Sequence, residues 1–83
     1  MPNYYFHLHE CGSRMMDDEG SEHVDLTSAE AFAVRSAREI MCEELRSGHL
    51  CLSCHIDIVD DDGLRLRRVK FAEAVQLVEA PST

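Results

Sequence analysis

Apolar residues recur at helical spacing between Thr27 and Gly48: Ala29, Ala33, Val34, Ala37, Ile40, Met41 and Leu45 share one stripe of a helical wheel. Much of that stripe is alanine, whose side chain ends at Cβ, so the helix can lie close against a flat partner. A sheet is the natural partner. The stripe predicts a helix from about Ser28 to Ser47, closed by Gly48 as a left-handed cap. Thr27 with Glu30 has the spacing of a capping box, the hydroxyl accepting from the third helical N–H while the carboxylate reaches back. Arg35, Arg38, Glu39, Glu43 and Arg46 fall mostly off the stripe. Phe32 falls off it too, near Glu39 and Glu43, where it would either mark a contact surface or cover the C-terminal helix.

Two hairpins would supply the sheet. Residues 3–9 alternate, with Tyr4, Phe6 and Leu8 on one face and Tyr5, His7 and His9 on the other. A two-residue turn at Cys11-Gly12 sets Leu8 opposite Met15 and makes 13–16 the returning strand. Residues 17–22 are polar and read as a turn, with Val24-Asp25-Leu26 as the lead-in to the helix. Residues 55–60 alternate again, Ile56 and Ile58 against His55, Asp57 and Val59, and Asp60-Asp61-Asp62-Gly63 is a turn signal. Parity favours a three-residue loop, Asp61 to Gly63, which pairs Ile58 with Leu66 and Asp57 with Arg67. That register leaves Arg68 opposite Ile56, so a bulge or strand end is expected near Arg67-Arg68. Residues 71–79 read as a short helix with Phe71, Ala74, Val75 and Val78 inward, ended by Pro81.

The expected architecture is α+β in the order β-β-α-β-β-α, one long helix across a small antiparallel sheet. A chain of 83 residues makes one such domain, residues 1–83, and 45% hydrophobic residues suffice for its core. Eight Lys/Arg against sixteen Asp/Glu give a net charge of −8. Phosphate backbones are repelled by that sign, so no nucleic-acid partner is expected; a basic protein, or a second copy of the chain as a homodimer, fits better. The first residues carry no basic segment followed by an apolar run, and nothing approaches a membrane span, so no membrane association and a cytoplasmic location are expected. There Cys11, Cys42, Cys51 and Cys54 would be free thiols.

Several patches together resemble a known family: Tyr4-Tyr5-Phe6-His7-Leu8, Asp18-Glu19-Gly20, Asp25-Leu26, residues 33–39, residues 56–60, Asp62-Gly63 and Phe71. In that order they are similar to short bacterial proteins built on one domain of unknown function. The resemblance implies a small stand-alone domain and carries no reaction, cofactor or catalytic residue. It does not run through Cys51, Cys54 and His55, so a role for those three would be peculiar to this chain. The element order also looks like that of small antitoxin-type domains that pair with a basic toxin, an analogy of fold alone.

Cys51-Leu52-Ser53-Cys54-His55 is the sharpest string. Its spacing matches covalent haem attachment, but that chemistry belongs outside the cytoplasm, and the motif runs directly into a strand in a chain poor in aromatics. Zinc would use Cys51 and Cys54 with His49 or His55, and a fourth ligand from Cys42, His7, His9 or Cys11, since one C-x-x-C supplies two of four ligands. A redox pair normally opens a helix; here the helix comes before the motif. His7 and His9 share a strand face and suit a metal, a phosphate or plain solvent exposure, the last favoured because no third ligand is identifiable. Asp60–Asp62 lack the glutamate a calcium loop needs twelve positions along, where Phe71 stands. Arg65, Arg67, Arg68 and Lys70 crowd one segment, as a small anion or RNA site or, favoured by the negative charge of the whole chain, as partners for Asp57 and a guarded sheet edge. No nucleophile with a base and no glycine-rich phosphate loop occurs, so no enzyme and no cofactor are expected.

The expectation is a non-enzymatic interaction or regulatory module, with Phe32, Arg65 and Arg67 as candidate contact residues. The alternative is a zinc- or haem-binding protein that uses Cys51, Cys54 and His55.

Overall fold

A computed structural model describes residues 1–79. Its elements are β1 (Asn3–Glu10), β2 (Ser13–Met15), β3 (Ser21–Glu22), α1 (Leu26–Arg46), β4 (His55–Val59), β5 (Arg65–Lys70) and α2 (Phe71–Ala74). The sheet is antiparallel in the order β2-β1-β4-β5, and β3 pairs with the start of β1. This is the expected α+β domain with one added strand pair. No helix among the described residues is long and apolar enough to cross a membrane.

The alanine stripe decides where α1 lies. Ala29, Ala33 and Ala37 are 0% exposed, and with Met41 they pack against Tyr4, Ile56, Ile58, Val69 and Phe71. Phe6, Leu8, Val34 and Ile40 pack around this core. Leu45 departs from its expected place at 60% exposed, because the last turn of α1 runs past the sheet. The helix also begins earlier than its spacing suggested. Asp25, not Thr27, is the cap, its Oδ1 accepting from the Ser28 N–H at 2.8 Å. A carboxylate there both satisfies a free N–H and complements the positive helix end. Gly48 ends the helix at φ +80°, where its N–H reaches Leu45 O and His49 N–H reaches Glu44 O, both at 3.0 Å.

The first hairpin has the expected register, with Leu8 opposite Met15 across Cys11-Gly12. Beyond β2 one side of β1 would be left unpaired, and Asp17 fills the gap. Its Oδ2 accepts from Phe6 N–H at 3.1 Å, and its Oδ1 from Gly20 N–H at 3.0 Å and Glu19 N–H at 3.3 Å. The chain then returns as β3, which two polar residues did not reveal in the sequence. Gly20 has φ +71°, and a Cβ there would meet Asn3 Nδ2 at 2.8 Å, Tyr5 Cε2 at 2.9 Å and Tyr4 O at 3.0 Å. Glycine is required on both counts.

The second hairpin keeps the three-residue loop: Asp60 N–H bonds Leu64 O at 3.0 Å and Val59 faces Arg65. The bulge lies closer to the turn than expected. The register shifts between Ile58 and Val59, so Ile58 faces Arg67, Asp57 faces Arg68 and Ile56 faces Val69, rather than Ile58 facing Leu66 and Asp57 facing Arg67. Absorbing the extra residue early places Val69 on the core face and Arg68 on the other face, which satisfies both. Arg67 then reaches across to α1, with Nε 3.1 Å from Glu30 Oε2.

Helix α2 is one turn rather than the expected 71–79. Phe71 and Ala74 are buried, but Val75 is already extended at φ −133° and Val78 is 78% exposed instead of inward. Arg38 Nε donates to Ala74 O at 2.7 Å, taking up a terminal carbonyl and tying α2 to α1. Pro81, the expected stop, lies outside the described residues.

Two outcomes follow. Ala33→Leu forces methyls into the closest helix–sheet contact and should cost about 1–3 kcal/mol in urea unfolding. Asp17→Asn should destabilise at neutral pH, with the difference vanishing in acid. Burial pushes the Asp17 carboxyl up, but the Gly20, Phe6 and Glu19 N–H groups outweigh it and hold the group below its ordinary 3.8. A depressed value stabilises fully above about 3.8 and is lost as pH falls through the folded value, so unfolding curves of the two proteins should converge below that range.

Candidate metal centre

Antiparallel pairing of β1 with β4 sets His9 opposite His55, so the end of β1 and the start of β4 meet at one end of the sheet. The β1–β2 turn, with Cys11, projects there. So does the loop from the α1 cap to β4, with Cys51 and Cys54. The Sγ atoms of Cys11, Cys51 and Cys54 lie within 4.8 Å of one another. Cys11 and Cys51 approach to 2.8 Å. The close pair is therefore one cysteine from each loop, not the C-x-x-C pair. Cys51 and Cys54 are buried, while Cys11 is exposed. Phe71 N–H bonds Cys54 O at 2.9 Å and fixes that residue beneath α2.

The three thiols are not equivalent. Hydrogen bonds from Cys11 and then Cys54 favour the anion at Cys51 and lower its pKa. Its hydrogen bond to Cys51, and then burial, raise Cys11. Burial first, then the neighbouring Cys51, push Cys54 up to about 12. Of the three, Cys51 gives up its proton most readily, and Cys11 and Cys54 hold protons that a metal would have to displace. Zinc bonded to sulfur at about 2.3 Å in a tetrahedron separates the sulfurs by about 3.8 Å. The 2.8 Å between Cys11 and Cys51 is shorter than that spacing, so Cys11, on an exposed turn, would have to draw back to share an ion with Cys51.

His55 falls on the other side of the sheet. Cys54 packs in the core, whereas His55 lies on the face that α1 does not cover. There its ring stacks on His9 with centroids 4.6 Å apart and planes at 18°. Asp57, 7% exposed, lies beside both: its Oδ2 is 3.3 Å from His9 Nε2 and 3.7 Å from His55 Nε2. Arg68 grips the same carboxylate, Nε to Oδ1 at 2.9 Å and Nη2 to Oδ2 at 3.3 Å. Burial raises Asp57, but Arg68 outweighs it and the carboxyl stays below its ordinary range. Burial, then the Arg68 charge, lower His55 and keep its ring neutral.

The remaining candidates are dispersed. His7 accepts the Asp17 N–H on Nδ1 at 3.0 Å. His49 Nε2 is 3.6 Å from Glu44 Oε2, and Cys42 is exposed on α1. Phe32 is half-buried against Phe6 and His23, with centroids at 4.9 and 5.0 Å. Arg65 faces Val59 on the uncovered side, and Arg67 is paired with Glu30. Asp60 Oδ1 accepts the N–H groups of Asp62 and Leu64, both at 2.9 Å, which is turn chemistry. A porphyrin joined to both Cys51 and Cys54 would need open sulfurs, and Cys54 is 2% exposed in the core.

Sequence spacing pointed to Cys51 and Cys54 and kept Cys11 among several possible partners. The missing information was that β1 and β4 are neighbours, which no local pattern states. Asp57 was placed on the His55 face by parity, but its junction with His9 needed the same pairing.

No curated protein and no solved structure matches the chain. Residues 3–72 match the family described as a domain of unknown function, DUF6894, and the chain belongs to that family.

Proposed function

We propose that this chain is a small metal-binding regulatory domain that holds a thiophilic ion, zinc foremost, on Cys11, Cys51 and Cys54. The convergence of three sulfurs from two separate loops within 4.8 Å carries the reading. Soft thiolate ligands select zinc or copper(I) over magnesium and calcium. Among the described residues the cluster offers three ligands, so water or a partner's side chain would complete a zinc tetrahedron. An ion here would clamp the β1–β2 turn to the loop that follows α1. Occupancy would then be read as order at that end of the sheet, which suits a regulatory module.

The reduced, metal-free chain, given excess Zn²⁺ and desalted, should retain one equivalent more than the Cys11→Ser, Cys51→Ser double variant by elemental analysis. At free zinc near 100 times the dissociation constant the gain is about 2.7 kcal/mol, a rise in Tm of about 4–8 °C per kcal/mol for a domain of this size. Zinc should shield Cys11 from maleimide while the exposed Cys42 stays reactive. Affinity should rise with pH, since Cys11 and Cys54 must lose protons to bind. Cys11→Ser, Cys51→Ser and Cys54→Ser should each weaken binding, and Cys42→Ser should not. Equal zinc retention by the wild type and the Cys11→Ser, Cys51→Ser double variant would refute the proposal.

A further inference from the structure

We infer that His9, His55 and Asp57 form a second metal site, on the uncovered face of the sheet, suited to a divalent first-row transition ion such as zinc, nickel or cobalt. Imidazole and carboxylate are the ligands such ions prefer. The inference rests on histidine and carboxylate geometry and is independent of the thiolate reading.

Three observations carry it. The ligand atoms of His9, His55 and Asp57 lie within 4.8 Å of one another, on strands rather than loops: His9 directly opposes His55, and Asp57 follows two residues along β4 on the same face. Both Nε2 atoms converge on one oxygen, Asp57 Oδ2. And His55 Nε2 is wholly buried without a hydrogen-bond partner. A purely structural reading handles His9, whose Nε2–H can point at Oδ2. It does not handle His55. With a proton on Nε2 the donor is wasted at 3.7 Å; without one, a lone pair faces a carboxylate. A cation shared by the two Nε2 lone pairs and Oδ2 satisfies all three atoms at once.

Arg68 sets the form of the site. Its shorter bond, 2.9 Å, goes to Oδ1, and the longer one, 3.3 Å, to Oδ2. Carboxylates that bind metals are themselves held by hydrogen bonds from outside, and Arg68 supplies that hold on the oxygen turned away from the histidines. Arg65 and Lys70 on β5 and Arg14 on β2 share this face by register, but each is exposed, with its charge in water where screening is strong. The two clusters stay separate because Cys54 is on the core side of the sheet and His55 on the open side.

The test titrates the full wild-type chain, reduced and metal-free, with Zn²⁺ while histidine ring resonances are followed by NMR, which needs no variant. The rings of His9 and His55 should shift together, and that of His49 should not. His9→Ala and His9→Gln should each weaken this event at least about tenfold, the scale on which even outer-shell changes act. Co²⁺ separates the two sites, because sulfur-to-cobalt charge-transfer absorption reports the thiolates alone. Histidine shifts without that absorption would sink the thiolate reading and uphold this one. Unmoved His9 and His55 rings, or shifts unaffected by replacing His9, overturn it.

Discussion

The depth at which α1 sits on the sheet is fixed by Ala29, Ala33 and Ala37, and the rest of the molecule is arranged around that contact. Larger residues on this line would lift the helix off Ile56 and Ile58 and open the core. With the helix close, one side of β1, β4 and β5 is sealed by apolar packing, and the other is free of the helix and covered only by its own polar and charged side chains. Histidine and aspartate at alternate strand positions are therefore tolerable, and they gather on the open face. The short return from Gly48 to β4 is a consequence of the same contact. It has to run past the β1–β2 turn, and it carries Cys51 and Cys54 to Cys11.

Local pattern was enough for the helix, both hairpins and the inward faces of β1 and β4, because each rests on a period or a turn that a few residues specify. It failed where two weak local choices competed. Thr27 and Asp25 can both cap α1, and the carboxylate wins through its charge at the helix end. The bulge could follow Asp57 or precede it; the core's demand for Val69 opposite Ile56 decided, a preference visible only after the strands are paired. Helix α2 ends at Ala74, where Val75 turns extended and Arg38, on another element, takes up the Ala74 carbonyl. The candidate site was legible in the same graded way. Cys51 and Cys54 stood out by spacing, whereas Cys11, His9 and Asp57 joined their clusters through strand order.

Net charge is a poor guide to what a particular face can bind. The chain as a whole carries −8, which governs encounter at long range. Yet Arg14, Arg65, Arg68 and Lys70, half of its eight Lys/Arg, point from β2 and β5 to the side that α1 leaves open. The acids are concentrated elsewhere, in the 17–22 loop, the Asp60–Asp62 turn and along α1. At contact distance, within a Debye length, a partner on the sheet face meets the local sign rather than the average. A basic partner would therefore meet a matching charge at the acidic loops and not at this face.

The two clusters differ in the way their surroundings require. Sulfur is weakly hydrated and can be buried as a thiol, so Cys51 and Cys54 sit in the core without loss while Cys11 meets them from the exposed β1–β2 turn. A carboxylate cannot be treated so, and Asp57 is tolerated at 7% exposure because Arg68 holds it from the solvent side. The soft donors thus occupy the apolar side of the sheet end and the harder donors its polar side, a few residues apart in the chain. Opposite side-chain directions at Cys54 and His55 produce that division. One pleat of backbone separates the sulfur cluster from the imidazole–carboxylate cluster, and ordering either loop or strand end would steady the other through the pairing of His9 with His55.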